Sequence, residues 1–129
     1  MDEFTISIVL PATAERLYKA WLDSREHTEF TIQPALIDPE PGGTFSVWDG
    51  YITGKNIELE PYTRILQSWR SSDFPEDAED SAIEVSFFET NEGTELSIHH
   101  YNIPEGQGPS YEEGWEDYYF LPMEEYFSK

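Results

Sequence analysis

Two adjacent histidines, His99 and His100, are the first side chains in this chain that could hold a metal or move a proton. In an extended strand, neighbours leave the backbone on opposite faces, so the pair cannot ligate one ion together. By parity His100 follows Leu96 and Ile98 inward, and His99 follows Glu95 and Ser97 outward. An inward His100 could act as a proton donor or ligand anchor; the commoner role is a hydrogen-bonded place in the core. Asp49 shares the parity of Phe45 and Val47, and as a buried carboxylate it would have the raised pKa of a general base. Asp-Gly is also a common hairpin turn, and that is the favoured role for Asp49-Gly50. Arg64 and Arg70 are positioned to pair with surface acids such as Glu58 or Glu84, contacts worth about 0 to 1 kcal/mol and assigned no function.

Aromatic side chains are the other chemical resource. Trp48, Tyr51, Trp69, Trp115 and Tyr118 could line a ligand pocket with their polar tips orienting the guest, or simply pack the core. With no cysteine, thiolate catalysis, disulfides and cysteine-type zinc sites are excluded. There is no phosphate-binding glycine loop, nucleophile elbow, helical histidine pair or dinucleotide fingerprint. The acidic run from Glu76 to Asp80 lacks the spacing and central glycine of a calcium loop. No cofactor, metal site or catalytic residue set is expected on these grounds.

Charge narrows the partners. Asp and Glu number 27 against 7 Lys and Arg, a formal net charge of -20. Nucleic acid and anionic membranes are therefore not expected partners, because the cationic groups that would neutralise phosphates are missing. Apolar residues at 38% and aromatics at 16% exceed what a disordered chain carries. At 129 residues, one domain spanning 1-129 is expected. The acidic start Asp2-Glu3 is unlike a secretory signal, and no apolar run is long enough to span a membrane, so the expected location is cytoplasmic.

The elements that must position these groups are legible from periodicity. Phe4 to Leu10 alternates with period two and stops at Pro11, which predicts a strand with Phe4, Ile6 and Ile8 on one face. Thr13 is placed to cap a helix carrying Leu17, Ala20 and Trp21 on one side, and a weaker helical stretch covers Ser24 to Thr31. From Pro34 to Tyr101 about five antiparallel strands are expected: Thr44 to Trp48, Tyr51 to Leu59, Arg64 to Arg70, Ala82 to Glu89 and Thr94 to Tyr101. Shared parity groups Phe45 with Val47, Ile57 with Leu59, Ile65 with Trp69, Ile83 with Val85 and Phe87, and Leu96 with Ile98. A one-sided apolar sheet needs a cover, and the helix expected from Tyr111 to Phe127 is the long element available. Pro122 within it removes the usual partner of the Tyr118 carbonyl and predicts a kink that could open a portal.

Strand, short helix, antiparallel meander and long C-terminal helix is the order of the α+β helix-grip (Bet v 1-like, START-like) fold. Within it, Gly42-Gly43-Thr44-Phe45, Asp49-Gly50, Gly54, Ile57-Glu58-Leu59-Glu60-Pro61, Ile65, Trp69-Arg70, Gly93-Thr94-Glu95-Leu96-Ser97-Ile98, His100 and Gly114-Trp115 follow one another in order. In this ordered set the chain resembles the family named for the C-terminal domain of the activator of Hsp90 ATPase, over nearly its whole length. The resemblance implies a curved antiparallel sheet wrapped on the C-terminal helix with a cavity between, in a family whose members include apolar-ligand binders and co-chaperones. It leaves no room in 129 residues for the N-terminal domain that anchors the eukaryotic co-chaperone, so direct ATPase activation is not among the expectations.

The expected function is non-enzymatic: a small apolar or aromatic ligand, or a chaperone or client protein, bound in a stress-related role. The expected cavity residues are Phe45, Val47, Tyr51, Trp69, Val85, Phe87, Ile98, His100, Trp115, Tyr118 and Tyr119. The alternative is an enzyme of the cyclase or hydratase type using His100 as acid or base.

Overall fold

In the computed structural model, which describes residues 1 to 129, strand β1 runs Asp2–Leu10 with Phe4, Ile6 and Ile8 turned inward and their neighbours exposed. The Thr13 hydroxyl accepts the Arg16 N–H and starts α1 (Ala14–Trp21), whose Leu17, Tyr18, Ala20 and Trp21 are buried. Asp23 caps α2 (Ser24–Thr31) in the same way. That helix ends one residue before Gln33-Pro34, with Ile32 in the left-handed region at φ 60°.

Six strands follow: β2 (Ala35–Ile37), β3 (Thr44–Val47), β4 (Ile52–Glu60), β5 (Arg64–Ser71), β6 (Ser81–Thr90) and β7 (Gly93–Ile103). With β1 they form one antiparallel sheet in the order β1-β7-β6-β5-β4-β3-β2. The expected five strands are thus six, since three residues at β2 are too few to show an alternation. Gly54 is required on β4: a Cβ there would meet the Ser68 carbonyl oxygen at 1.9 Å and the Phe45 ring at 2.6 Å.

Ile57 does not share a face with Leu59. The register between β4 and β5 shifts between Asn56 and Glu58, so Ile57 is the extra residue of a bulge and is 48% exposed. Asn56 takes the inward position instead, fully enclosed. Its amide nitrogen donates to the carbonyls of Asp38 and Glu40, and its Oδ1 accepts from Gln67 Nε2 at 2.9 Å. Gln67 Oε1 in turn accepts the Trp21 indole N–H at 3.3 Å. This buried polar chain joins α1, β4, β5 and the 38–43 loop with every amide group partnered.

The closing helix begins at Gly108, earlier than Tyr111. Pro109 in the first turn is compatible with its missing N–H, and Asp2 Oδ2 accepts the N–H groups of Gly106 and Gly108 at 2.9 Å each. Helix α3 (Gly108–Trp115) passes through a π turn (Glu116–Phe120) into α4 (Leu121–Phe127). The Leu121 N–H reaches back five residues to the Glu116 carbonyl, so the disturbance expected at Pro122 is absorbed by one wide turn just before it. No helix is long and apolar enough to cross a membrane.

Candidate functional site

The space between sheet and helix is largely filled. Trp21 from α1 stacks on Trp115 with centroids 6.2 Å apart and planes at 24°, and Tyr119 lies 5.3 Å from Trp21. What remains among these rings is a void of about 10 Å³, at the limit for a single water. The expected sheet-helix cavity therefore does not run through the centre. Phe45, Val85, Phe87 and Ile98 are buried in the packed core rather than in an open space.

A cleft of about 430 Å³ survives at one end, where the β3–β4 turn, β5, the 106–107 link and α3 with its π turn converge. Of the expected residues, the structure places Val47, Tyr51, Trp69, Trp115, Tyr118 and Tyr119 on its walls. Trp48, Ile52, Tyr111, Gln107 and Asp73 join them. Of these, sequence reasoning left out Ile52, Tyr111, Gln107 and Asp73. The three that come from helix start and loops carry no periodicity that would point at the cleft.

Each wall has a local cause. Asp49 and Gly50 have φ of 56° and 90°, and the Tyr51 N–H donates to the Trp48 carbonyl at 3.1 Å; two positive φ values at the centre fit the tight hairpin turn. Asp49 is exposed in that turn, so it is not a buried base. The turn throws Trp48 and Tyr51 onto one side, stacked with centroids 5.8 Å apart at 21°. Tyr118 meets Trp48 edge-on at 5.1 Å and 88°. Opposite, Phe74 is buried against Trp69 and Tyr111. The Arg70 guanidinium donates to the carbonyls of Pro75, Glu76 and Ala78 and pairs with Asp80. The acidic loop is thereby held at the cleft's edge, with Asp73 at its start.

Three polar side chains of the wall, Tyr51, Tyr111 and Gln107, are committed to protein acceptors. Tyr51 donates to the Asp73 carboxylate, Tyr111 to Gln107 Oε1 at 2.6 Å, and Gln107 Nε2 to the Asp73 carbonyl at 3.1 Å. The Trp48 indole nitrogen is the one enclosed side-chain polar atom without a partner.

His100 lies behind this wall, fully buried, and does not line the cleft. Its Nδ1 accepts the Trp115 indole N–H at 3.0 Å. Ser81 spends its only proton on the Trp69 carbonyl at 2.6 Å, so the 2.9 Å contact with His100 Nε2 has the ring donating. The imidazole is held neutral as its Nε2–H tautomer, and burial lowers its pKa to about 3. With both nitrogens occupied and no opening to the cleft, His100 has no proton to exchange with a guest, which removes the basis for an acid–base role.

His27 went unread in the sequence. It is buried on α2, donating from Nδ1 to the Trp21 carbonyl at 2.8 Å and accepting at Nε2 from Tyr119 at 2.7 Å. Burial lowers its pKa to about 4 and raises that of Tyr119. The available signal was its spacing with Phe30 and Thr31, which marks the one buried stripe of an otherwise polar helix.

Comparison with known proteins follows the same lines. A family model described as "Activator of Hsp90 ATPase homolog 1-like protein" matches residues 11–128. The activator of 90 kDa heat shock protein ATPase homolog 1 of Mus musculus is 29% identical over 125 residues, 97% of this chain and 37% of the relative. Its Homo sapiens counterpart is 28% identical over 125 residues with the same coverage. The chain thus spans 37% of the length of these curated relatives. A crystal structure described as an HSP90 activator from Plasmodium falciparum superposes with a TM-score of 0.84 at 26% identity, covering 95% of this chain and 93% of that one.

Proposed function

The chain belongs to the activator of Hsp90 ATPase homolog 1-like family, and from that premise we propose that it is a non-enzymatic, co-chaperone-like domain that docks on an Hsp90-type chaperone in a stress-related role. Its cleft takes a small apolar or aromatic group. The observation that carries the docking role is likeness over nearly the whole chain to proteins named as activators of that ATPase, with a TM-score of 0.84 to one described as an HSP90 activator. Supporting the non-enzymatic reading, the one ionisable acid on the cleft wall is Asp73, at the exposed rim, and neither buried histidine has a free nitrogen.

The test is direct. A purified Hsp90-type chaperone is mixed with excess of this chain, and both complex formation and ATP hydrolysis are measured. Complex formation with a raised hydrolysis rate supports a domain that activates by itself. Complex formation at an unchanged rate supports a docking domain whose activation needs more than these residues. Absence of any complex overturns the co-chaperone reading.

A further inference from the structure

Aliphatic side chains are the natural lining for a purely hydrophobic guest, yet seven of the cleft's residues are aromatic and one, Asp73, is charged. The hydroxyls of Tyr51, Tyr111 and Tyr119 are bonded to protein acceptors. What these side chains have left to offer is the electron-rich faces of their rings. Trp48 and Tyr51 lie nearly parallel and Tyr118 stands perpendicular to Trp48, so the three rings make a corner.

Charge singles out the guest. Asp73 accepts a hydrogen bond from Tyr51 but pairs with no Lys, Arg or His, while Arg70 beside it is directed to loop carbonyls and Asp80. The negative charge at the mouth is uncompensated, in a chain of net charge -20. An anion is repelled there. A compact, strongly hydrated cation gains little, because the rings cannot replace its water. A methylated ammonium ion spreads its charge over an apolar surface that aromatic faces attract. The backbone is built toward this wall at a cost: Trp48 sits at φ 56°, a region that bulky side chains rarely occupy.

We propose that the cleft recognises a small methylated ammonium ion, its head against the rings of Trp48, Tyr51 and Tyr118 and its charge balanced by the Asp73 carboxylate. This rests on the reading that the cleft takes a small apolar or aromatic group, here the methylated surface of a cation, and it names the chemistry of that group. A free ion suits the volume of about 430 Å³, within the range of small-molecule pockets.

The experiment is calorimetric titration of the full chain with three probes. Choline carries both charge and methyl groups; 3,3-dimethyl-1-butanol has its shape without the charge; ethanolamine has the charge without the methyls. Choline should bind about tenfold or more tightly than either control, the scale of a desolvated cation–ring contact. Asp73→Asn and Tyr118→Ala should each weaken choline several-fold with the cooperative melting transition retained, since both side chains are exposed. Equal or tighter binding of the alcohol overturns the cation and leaves the apolar-group reading standing. Equal binding of ethanolamine, or choline binding indifferent to both substitutions, reduces the effect to attraction by the acidic surface and overturns the proposal. If none of the three binds, the methylated-ammonium guest is overturned.

Discussion

The indole N–H of Trp115 donates to Nδ1 of His100 across 3.0 Å, joining the C-terminal helix to β7, the strand next to the β1 edge of the sheet. Four residues on, Tyr119 makes the matching contact to His27 of α2 at 2.7 Å. Residues four apart lie on one face of a helix, so this face is held by two neutral imidazoles, with Trp21 packed against both Trp115 and Tyr119.

Replacing His100 with Leu strands the Trp115 N–H in the core. The expected loss is about 1 to 3 kcal/mol, the cost of an unsatisfied buried donor. His99 faces outward, with Glu3 3.7 Å away, and His99→Ala should stay within about 0.5 kcal/mol. Chemical denaturation of both variants reads the difference, and comparable losses would mean that β7 is out of register.

Acid should loosen the helix through the same two groups. Both His27 and His100 have folded pKa values, about 4 and about 3, below the ordinary 6.5. As pH falls below 6.5 the unfolded chain therefore takes up protons first. The stability present above 6.5 is lost progressively toward those lower values, by up to about 1.4 kcal/mol per pH unit for each histidine. The clean measurement is NMR of the two ring signals, which should stay in the neutral form down to about pH 5. Protonation of either above pH 6 in the folded protein would contradict the buried geometry.

Gln67 tests the polar chain that parity alone does not show. Gln67→Leu leaves both Asn56 Oδ1 and the Trp21 N–H without partners and should cost about 2 kcal/mol or more. Ile57→Ser, at the exposed bulge, should be close to neutral. The reverse order in a thermal or urea melt would place Ile57 inside and remove the bulge.

Salt should stabilise the protein. Arg64 bridges Glu58, Glu60 and Glu84, but with 7 basic residues for 27 acids most carboxylates have no counter-charge. Their repulsion extends over a screening length of about 10 Å at 0.1 M salt. The melting temperature should climb as sodium chloride rises from near zero to several tenths molar. A flat profile would show that the acids are spaced widely enough to be harmless.

Much of the scaffold was readable in the chain. Phe4, Ile6 and Ile8 face inward as their alternation requires, and Thr13 caps α1 through its own hydroxyl. Parity placed His100 inside and His99 outside. The ordered glycines also carried the family, and at Gly54 the reason is visible in the Phe45 ring lying where a Cβ would be. Such features are local, because backbone geometry alone fixes which side chains share a face.

Other features depend on what lies across from a residue, and these the tertiary structure decided. The bulge at Ile57 exists only in the pairing of β4 with β5, and it exchanges an apolar residue for Asn56 in the interior. Trp21 reads as one apolar position on a short helix, yet in the fold it stacks on Trp115, distant in the chain, and fills the centre of the expected cavity. That packing moved the open space to the end of the sheet, where Asp73 and Tyr111 arrive from segments without strand or helix periodicity pointing there. Alternation along the chain encodes the facing of each element; how rings from separate elements divide the enclosed volume is set by their mutual contacts, and no single segment contains them.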